Sequence, residues 1–350
     1  MDDLDNEWES FLNDDDDDDN ENENIINDVD LNINTDGNIE EIPESSPIKI
    51  STKTKIIYLN KSFNLNELFW KLPIIDYMDL KEGILKKQIK YNFESKQEII
   101  DIDEKLKDEE NVKVQIIKQI DNPTGRIKFK DIRKITIGLT KQDLFNKKVK
   151  EKSAFYNCFV LIVRVFLDPD YKEMHVKVFN TGKLEIPGIK DDFMLNKVIG
   201  IIIQIFQPYY EDKIYNVVEK NETVLINSNF TCNYYINREK LYNILKSKYD
   251  IKSNYDPCSY PGILCRKYKH GDFNLSFMIF RTGSVLIVGK CELDIINEVY
   301  EKLKKIFYDE FYEISIAKHI YIKEYEKNQK DKKDKLLNKK KKKRTIIIKN

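Results

Sequence analysis

The sequence predicts an α+β protein made of two diverged copies of one unit, each an antiparallel sheet with helices on one side. Two observations carry this. A strand–turn–strand–glycine–helix pattern occurs twice, about a hundred residues apart. Each occurrence is also preceded by the same order of strand, helix and strand.

The first occurrence, Met174 to Val198, reads "MHVKVFNTGKLEIPGIKDDFMLNKV". Two strands meet at a tight Asn180-Thr181-Gly182 turn, and Gly188 ends the second. Asp191 or Asp192 then caps a helix whose apolar positions are Phe193, Leu195, Val198 and Ile202. The second occurrence, Leu275 to Leu303, reads "LSFMIFRTGSVLIVGKCELDIINEVYEKL". Phe179 aligns with Phe280, Gly182 with Gly283 and Gly188 with Gly289, while Ile295, Val299, Leu303 and Ile306 form the helix face. The first glycine of each pair suits the positive φ of a tight turn, and the second lets the chain leave its strand abruptly.

The upstream elements also match. Ile50 to Leu59 is strand-like, Phe63, Leu65, Leu68, Phe69 and Leu72 recur at helical spacing, and Pro73 stops that helix. Gly83 to Phe93 is again a strand. In the second copy the series is Thr223 to Tyr235, a helix Glu239 to Tyr249 with Leu241, Ile244 and Leu245 inward, and Gly262 to Tyr268. The first copy alone carries a charged insertion at 95–155, with a hairpin turn at Asn122-Pro123-Thr124-Gly125. Cys158 to Leu167 follows as a buried central strand. The chain therefore divides into an acidic arm (1–46), a first repeat (47–212), a second repeat (213–322) and a basic tail (323–350).

Charge is segregated along the chain. Residues 1–50 hold 19 acidic side chains against 1 lysine, a net of −18. The last 28 residues carry a net of +9, and residues 51–322 a net of +8. Six aspartates in a row, Asp14 to Asp19, mark the arm as disordered, since it has too little apolar surface to offset ordering entropy. Trp8, Phe11 and Leu12 within it form a short partner-binding motif or part of an inert tail. Segregation of this kind suits a nucleic-acid partner and equally suits two solubilising tails. The five cysteines form no CxxC pair and the three histidines do not complete zinc spacing, so packed, reduced thiols are expected. No signal-peptide pattern is present at the N-terminus, and no apolar run is long enough for a membrane span. The longest, Val198 to Phe206, reads as part of a buried helix. No nucleophile–base arrangement, phosphate loop or paired-carboxylate motif appears, so enzymatic activity is not expected. Asp256 reads as a turn residue and Glu292 as a first-turn acid.

Strand alternation leaves a second apolar face. In Leu275 to Arg281, Phe277 and Ile279 point one way and Ser276, Met278 and Phe280 the other. Val285 and Ile287 likewise oppose Leu286 and Val288. Helices cover one side of a two-layer unit, so the other must meet a sheet, a protein or an apolar ligand surface such as the DNA minor groove.

With these residues in place the second copy resembles the second repeat of TATA-box-binding proteins. "NYDPCSYPGILCRKY" (Asn254 to Tyr268) and "FMIFRTGSVLIVGK" (Phe277 to Lys290) are similar to that repeat's Tyr-Glu-Pro-x-x-Phe-Pro-Gly and Ile-Phe-x-x-Gly-x-x-x-x-x-Gly stretches. The likeness covers about 222–308. In the first copy, 50–205, it rests on the last third and on element order. The tails and the insertion are not family features, and their layout is similar to divergent members from large cytoplasmic DNA viruses.

The resemblance implies a saddle: a curved antiparallel sheet with helices on its convex side and DNA under its concave side. The family's paired phenylalanine wedges fall on Tyr260 and Phe280 in the second repeat, and on Lys81 and Phe179 in the first, where one wedge is missing. The base-reading asparagine falls on Asn227 and, in the first repeat, on Thr52. A phosphate-facing arginine matches Arg266. Met278, Leu286 and Val288 complete the second repeat's DNA face, and Lys177 and Lys81 suit phosphates. By alternation Val176, Val178, Leu184 and Ile186 face the helices, leaving His175, Lys177, Phe179, Glu185 and Pro187 on the other side. Glu185, as an uncompensated carboxylate, opposes phosphate contact.

The expected function is a transcription initiation factor. It binds and bends double-stranded A/T-rich promoter DNA through the minor groove and recruits transcription factors and RNA polymerase subunits. The alternative is a protein-interaction module on the same fold that has lost sequence-specific DNA binding. The tail "KKKKKR", Lys339 to Arg344, adds phosphate affinity, serves as an import signal or is merely solvated. No cofactor, metal, membrane or small-molecule substrate is implied. The expected location is intracellular: host cytoplasm or virion if viral, otherwise nucleus. A last expectation is that the acidic arm folds back onto the basic middle as a DNA mimic.

Overall fold

The computed structural model describes residues 42–122, 124–145 and 157–316. The chain divides into two compact units, an N-terminal unit of Ile50–Asn227 and a C-terminal unit of Ser228–Asn350 with Met1–Lys49. Each is α+β, with an antiparallel sheet.

The N-terminal unit runs β1 (Lys49–Tyr58), α1 (Leu65–Lys71), β2 (Gly83–Phe93), α2 (Lys96–Leu106), β3 (Val112–Asp121), β4 (Phe129–Gly138), α3 (Lys141–Phe145), β5 (Cys158–Leu167), β6 (Asp170–Phe179), β7 (Lys183–Ile189) and α4 (Asp192–Phe206). The next strand, β8 (Glu222–Thr231), divides between the units at Asn227. Strand order here is β8-β1-β7-β6-β5-β2-β4-β3. Among the described residues the insertion thus supplies two helices, α2 and α3, and two further strands at one end of the sheet. The expected hairpin is the β3–β4 connection, where Gly125 N–H donates to Asn122 O at 3.0 Å; Pro123 lies outside the described residues.

One face of this sheet carries the core. Ile57, Phe159, Leu161, Val163, Val176, Val178, Leu184 and Ile186 pack with Leu68, Phe69 and Leu72 of α1 and Val198, Ile202 and Phe206 of α4. Asp191 caps α4, accepting from Met194 N at 2.8 Å. Phe193, expected in that apolar face, is instead 72% exposed, and Met194 takes the buried position. Helix geometry, not hydrophobicity, decides: the buried set starts one residue later.

The C-terminal unit contains the rest of β8, then β9 (Tyr235–Ile236), α5 (Arg238–Ser247), β10 (Ile263–His270), β11 (Phe273–Ile279), β12 (Ser284–Gly289), α6 (Leu293–Asp309), α7 (Phe311–Ile314) and β13 (Ser315–Ile316). Its order is β10-β11-β12-β8, with β9 and β13 paired separately. Leu241, Ile244 and Leu245 are buried on α5 as expected. On α6 the buried set is Ile296, Val299, Tyr300, Leu303, Ile306 and Phe307, so Ile296 replaces the expected Ile295. Phe230 of β8 packs edge-on to Tyr300 with centroids 4.9 Å apart.

The packed chain begins before the expected end of the acidic arm. Ser46 N–H donates to Thr231 O at 2.8 Å, its hydroxyl accepts from Thr231 N at 3.0 Å, and Tyr300 hydroxyl donates to Ser46 O at 3.0 Å. Residues 1–41 and 317–350, which hold most of both charged tails, lie outside the described residues.

The duplication is legible in the hydrogen bonds. Gly182 (φ +82) donates to Phe179 O at 3.1 Å, and Gly283 (φ +84) to Phe280 O at 3.1 Å. A Cβ on Gly182 would lie 2.1 Å from Lys61 O, and one on Gly283 2.3 Å from Tyr234 O. Both turns therefore dock against the segment after the first strand of their copy: Leu59 N–H donates to Gly182 O and Cys232 N–H to Gly283 O. Each following helix is capped by an asparagine, Asn64 on α1 and Asn237 on α5.

Candidate nucleic-acid interface

The candidate interface is the sheet face turned away from the core, here the second face. In the N-terminal unit its register is set by β5–β6 pairs Cys158↔Phe179, Val160↔Lys177, Ile162↔His175 and Arg164↔Glu173. Lys177 stands opposite Glu185 of β7, and Glu185 opposite Ile56 of β1. Helix-facing and second-face residues thus divide as alternation predicted. Glu185 is not uncompensated, however. Lys177 Nζ lies 2.5 Å from its carboxylate, and Glu185 is 9% exposed. The expected repulsion is replaced by an ion pair lying within the face.

At the β1 edge of this face two predicted base readers meet. Asn227 Nδ2 donates to Thr52 Oγ1 at 3.0 Å. Asn227 Oδ1 is buried with no hydrogen-bond partner among the described residues. Phe179 is half-buried at the end of β6, with Lys183 Nζ 4.9 Å from its ring centroid. Lys81 is exposed and ion-paired to Asp79 at 2.6 Å.

The loop holding Lys81 is clamped from the sheet, which the sequence reading missed. Arg164, 5% exposed, donates to Tyr77 O at 2.7 Å and Asp79 O at 2.6 Å, and its guanidinium lies 4.7 Å from the Tyr77 ring centroid. Tyr171 hydroxyl donates to Leu80 O at 2.9 Å. Met78 and Leu80 project outward, 80% and 79% exposed. A charged residue within an otherwise apolar run, Arg164 in β5, was the available signal.

In the C-terminal unit the second face is built by Leu264↔Met278 and Met278↔Leu286 pairs, with Ser276 opposite Val288. Tyr260 and Phe280 stand side by side, centroids 6.1 Å apart. Gly262 makes room for them, since a Cβ there would sit 3.1 Å from Tyr260 and 3.3 Å from Phe280. The Tyr260 hydroxyl meets Met278 Sδ at 3.1 Å, so the extra polar atom is satisfied. That contact helps bury Met278 completely, and Val288 is 2% exposed, while Leu286 and Phe280 are half-buried. Arg266 is exposed at an irregularity between Cys265 and Tyr268, beside Lys267 at φ +52. Asp256 is the turn residue expected, accepting from Cys258 N at 3.0 Å.

Cys158, Cys232 and Cys265 are buried; burial raises each thiol, Cys232 to about 12. Cys258 is exposed. Among the described residues no group of three or more His, Cys, Asp or Glu is placed to hold a metal, and no helix is long and apolar enough to cross a membrane.

No family model matches the chain. A curated protein of Acanthamoeba polyphaga mimivirus named TATA-box-binding protein-like is 28% identical over 185 residues, covering 47% of this chain and 50% of the relative. Over that stretch the chain is similar to a TATA-box-binding-protein-like protein. It spans about half the length of the curated relative it matches. Among solved structures, Methanococcus jannaschii TBP aligns with a TM-score of 0.40 and 13% identity, over 75% of this chain and 99% of that one. In this chain the second repeat's motif residues Tyr260, Gly262, Met278 and Phe280 form one contact cluster. Thr52 and Asn227 are likewise brought together, from positions 175 residues apart.

Proposed function

We propose that the chain is a transcription initiation factor that binds and bends A/T-rich duplex DNA through the minor groove and recruits transcription machinery. The observation that carries this is the Asn227–Thr52 pair. An amide nitrogen carries two N–H donors, and Asn227 Nδ2 gives only one of them to Thr52, leaving the second for a ligand on this face. A·T pairs show only acceptors in the minor groove, whereas G·C adds a donor, so that arrangement favours A·T. Phe280, Tyr260 and Phe179 supply the apolar and aromatic edges that wedge base steps. The relevant compartment is wherever that DNA is transcribed: the cytoplasm or virion for a virus, the nucleus otherwise.

A second reading, a protein-interaction module, is favoured by the Lys177–Glu185 pair and by the burial of Met278 and Val288. Internal neutralisation and a sealed floor leave less for phosphates and base steps to touch. Gel-shift and bending assays on matched A/T-rich and G/C-rich duplexes separate the two. Preferential binding and bending of the A/T-rich duplex is expected; equal affinity for both duplexes would defeat the sequence-selective reading.

A further inference from the structure

The insertion does more than extend the sheet: its Thr140–Phe145 segment reaches the second face of the N-terminal unit. At the end of β4, Gly138 (φ +95) sits so close to β2 that a Cβ would lie 2.1 Å from Leu85 O. That approach delivers Thr140, 3% exposed, and α3 to Lys86 of β2 and Glu173 of β6. Lys141 N–H donates to Glu173 Oε1 on β6 at 2.9 Å. Asp143 accepts Lys86 Nζ at 2.7 and 2.8 Å, and also Thr140 N–H at 2.9 Å and hydroxyl at 2.5 Å. Lys86 pairs in register with Ile162, which puts it on the second face. Lys86 and Ile162 are 8% and 5% exposed, so this end of the face is already covered.

A carboxylate held bidentate-fashion to an ammonium makes the contact a phosphate oxygen would make. We infer that Thr140–Phe145 is an intramolecular strap competing with an anionic ligand for the second face of the N-terminal unit, with Asp143 in the place of phosphate at Lys86. The inference rests on the duplex-binding reading of that face. Strap and ligand are then coupled reciprocally: whatever loosens one strengthens the other. The strap has no counterpart in the second repeat, because the insertion occurs only in the first.

The test uses the full chain, with fluorescence anisotropy on an A/T-rich duplex across a salt series. Asp143→Asn keeps shape and the Thr140 contacts while removing the charge held at Lys86. Lys141→Pro removes the N–H that reaches Glu173, at a first helical position where proline is tolerated, and is read against Lys141→Ala, which loses the same side-chain charge but keeps that N–H. Asp143→Asn is expected to tighten binding about five-fold or more and to steepen the log–log salt slope by about 0.9, one additional phosphate contact. Lys141→Pro should tighten it less, in the same direction, relative to Lys141→Ala. If the wild type binds duplex and both variants match their references in affinity and slope, the strap is overturned and the duplex reading stands. If the wild type and both variants all fail to bind, both ideas fall. Binding by the variants alone would support the strap as autoinhibitory.

Discussion

Phe280 is the side chain on which the proposed duplex contact depends most. It ends a strand, is held by the Gly283 turn, and stands beside Tyr260 over Gly262. Replacing it by alanine removes an aromatic surface without touching the core on the other side of the sheet. Phe280→Ala should weaken binding to A/T-rich duplex by about 1–3 kcal/mol, the worth of one base–aromatic contact. Phe193→Ala, at an exposed helix position, should leave affinity unchanged. Titrating both variants against one duplex checks this, and equal losses would remove Phe280 from the interface. Glu185 shows the opposite case. Its identity alone argued for repulsion, and only the 2.5 Å contact with Lys177 shows the charge to be neutralised.

Strand β2 contributes an unexpected internal charge. Lys87 is 1% exposed on the core side, with Nζ 3.0 Å from Leu72 O, 3.3 Å from Glu109 Oε1 and 5.1 Å from the Phe69 ring centroid. Burial lowers its pKa against the opposing pull of Glu109. Between that lowered value and the unfolded value near 10.5 the unfolded chain binds more protons, so this group makes stability rise with pH across that window. Replacing the whole pair, Lys87→Met with Glu109→Leu, should therefore be neutral to stabilising at pH 7, by up to about 4 kcal/mol as for other buried pairs replaced by apolar groups. Its advantage over wild type should shrink as pH approaches 10.5. Urea melts of both proteins at neutral and alkaline pH report the difference; an advantage that grows with pH would contradict the assignment. Periodicity foretold β2 itself, because Gly83 to Phe93 is strand-like throughout. It did not show Lys87 inside, since lysine in a strand reads as solvent-facing until a helix and the insertion close over it.

At the scale of the whole chain the charge blocks remain the strongest unexplained feature. An arm of net −18 precedes a middle of net +8. If it competes with DNA, its removal strengthens binding. The cut matters, because Glu44 and Ser46 are bonded to Asn233, Thr231 and Tyr300 within the C-terminal unit. Deleting residues 2–41 should raise duplex affinity at low salt without lowering the melting temperature. Extending the deletion through 46 should add a stability loss of about 1–3 kcal/mol from the unpaired backbone and hydroxyl groups. Thermal melts with anisotropy titrations check both halves, and an unchanged affinity for the shorter deletion would dispose of the mimic.

The sequence by itself determined the fold class, the element order and the duplication. These depend on local rules, namely the period of apolar residues, the glycines that turns require and the caps that start helices. Gly182 and Gly283 announced two equivalent turns, and the hydrogen bonds at both are the same. It also determined which face the residues of β6, β7, β11 and β12 take, since alternation is a property of the backbone. Only the tertiary structure decided what meets on those faces. Thr52 finds Asn227, Glu185 finds Lys177 and Asp143 finds Lys86 across separations that no periodicity spans. Pairing between distant side chains depends on strand order and register, and the second repeat's clearer motif said nothing of how far the insertion reaches across the first.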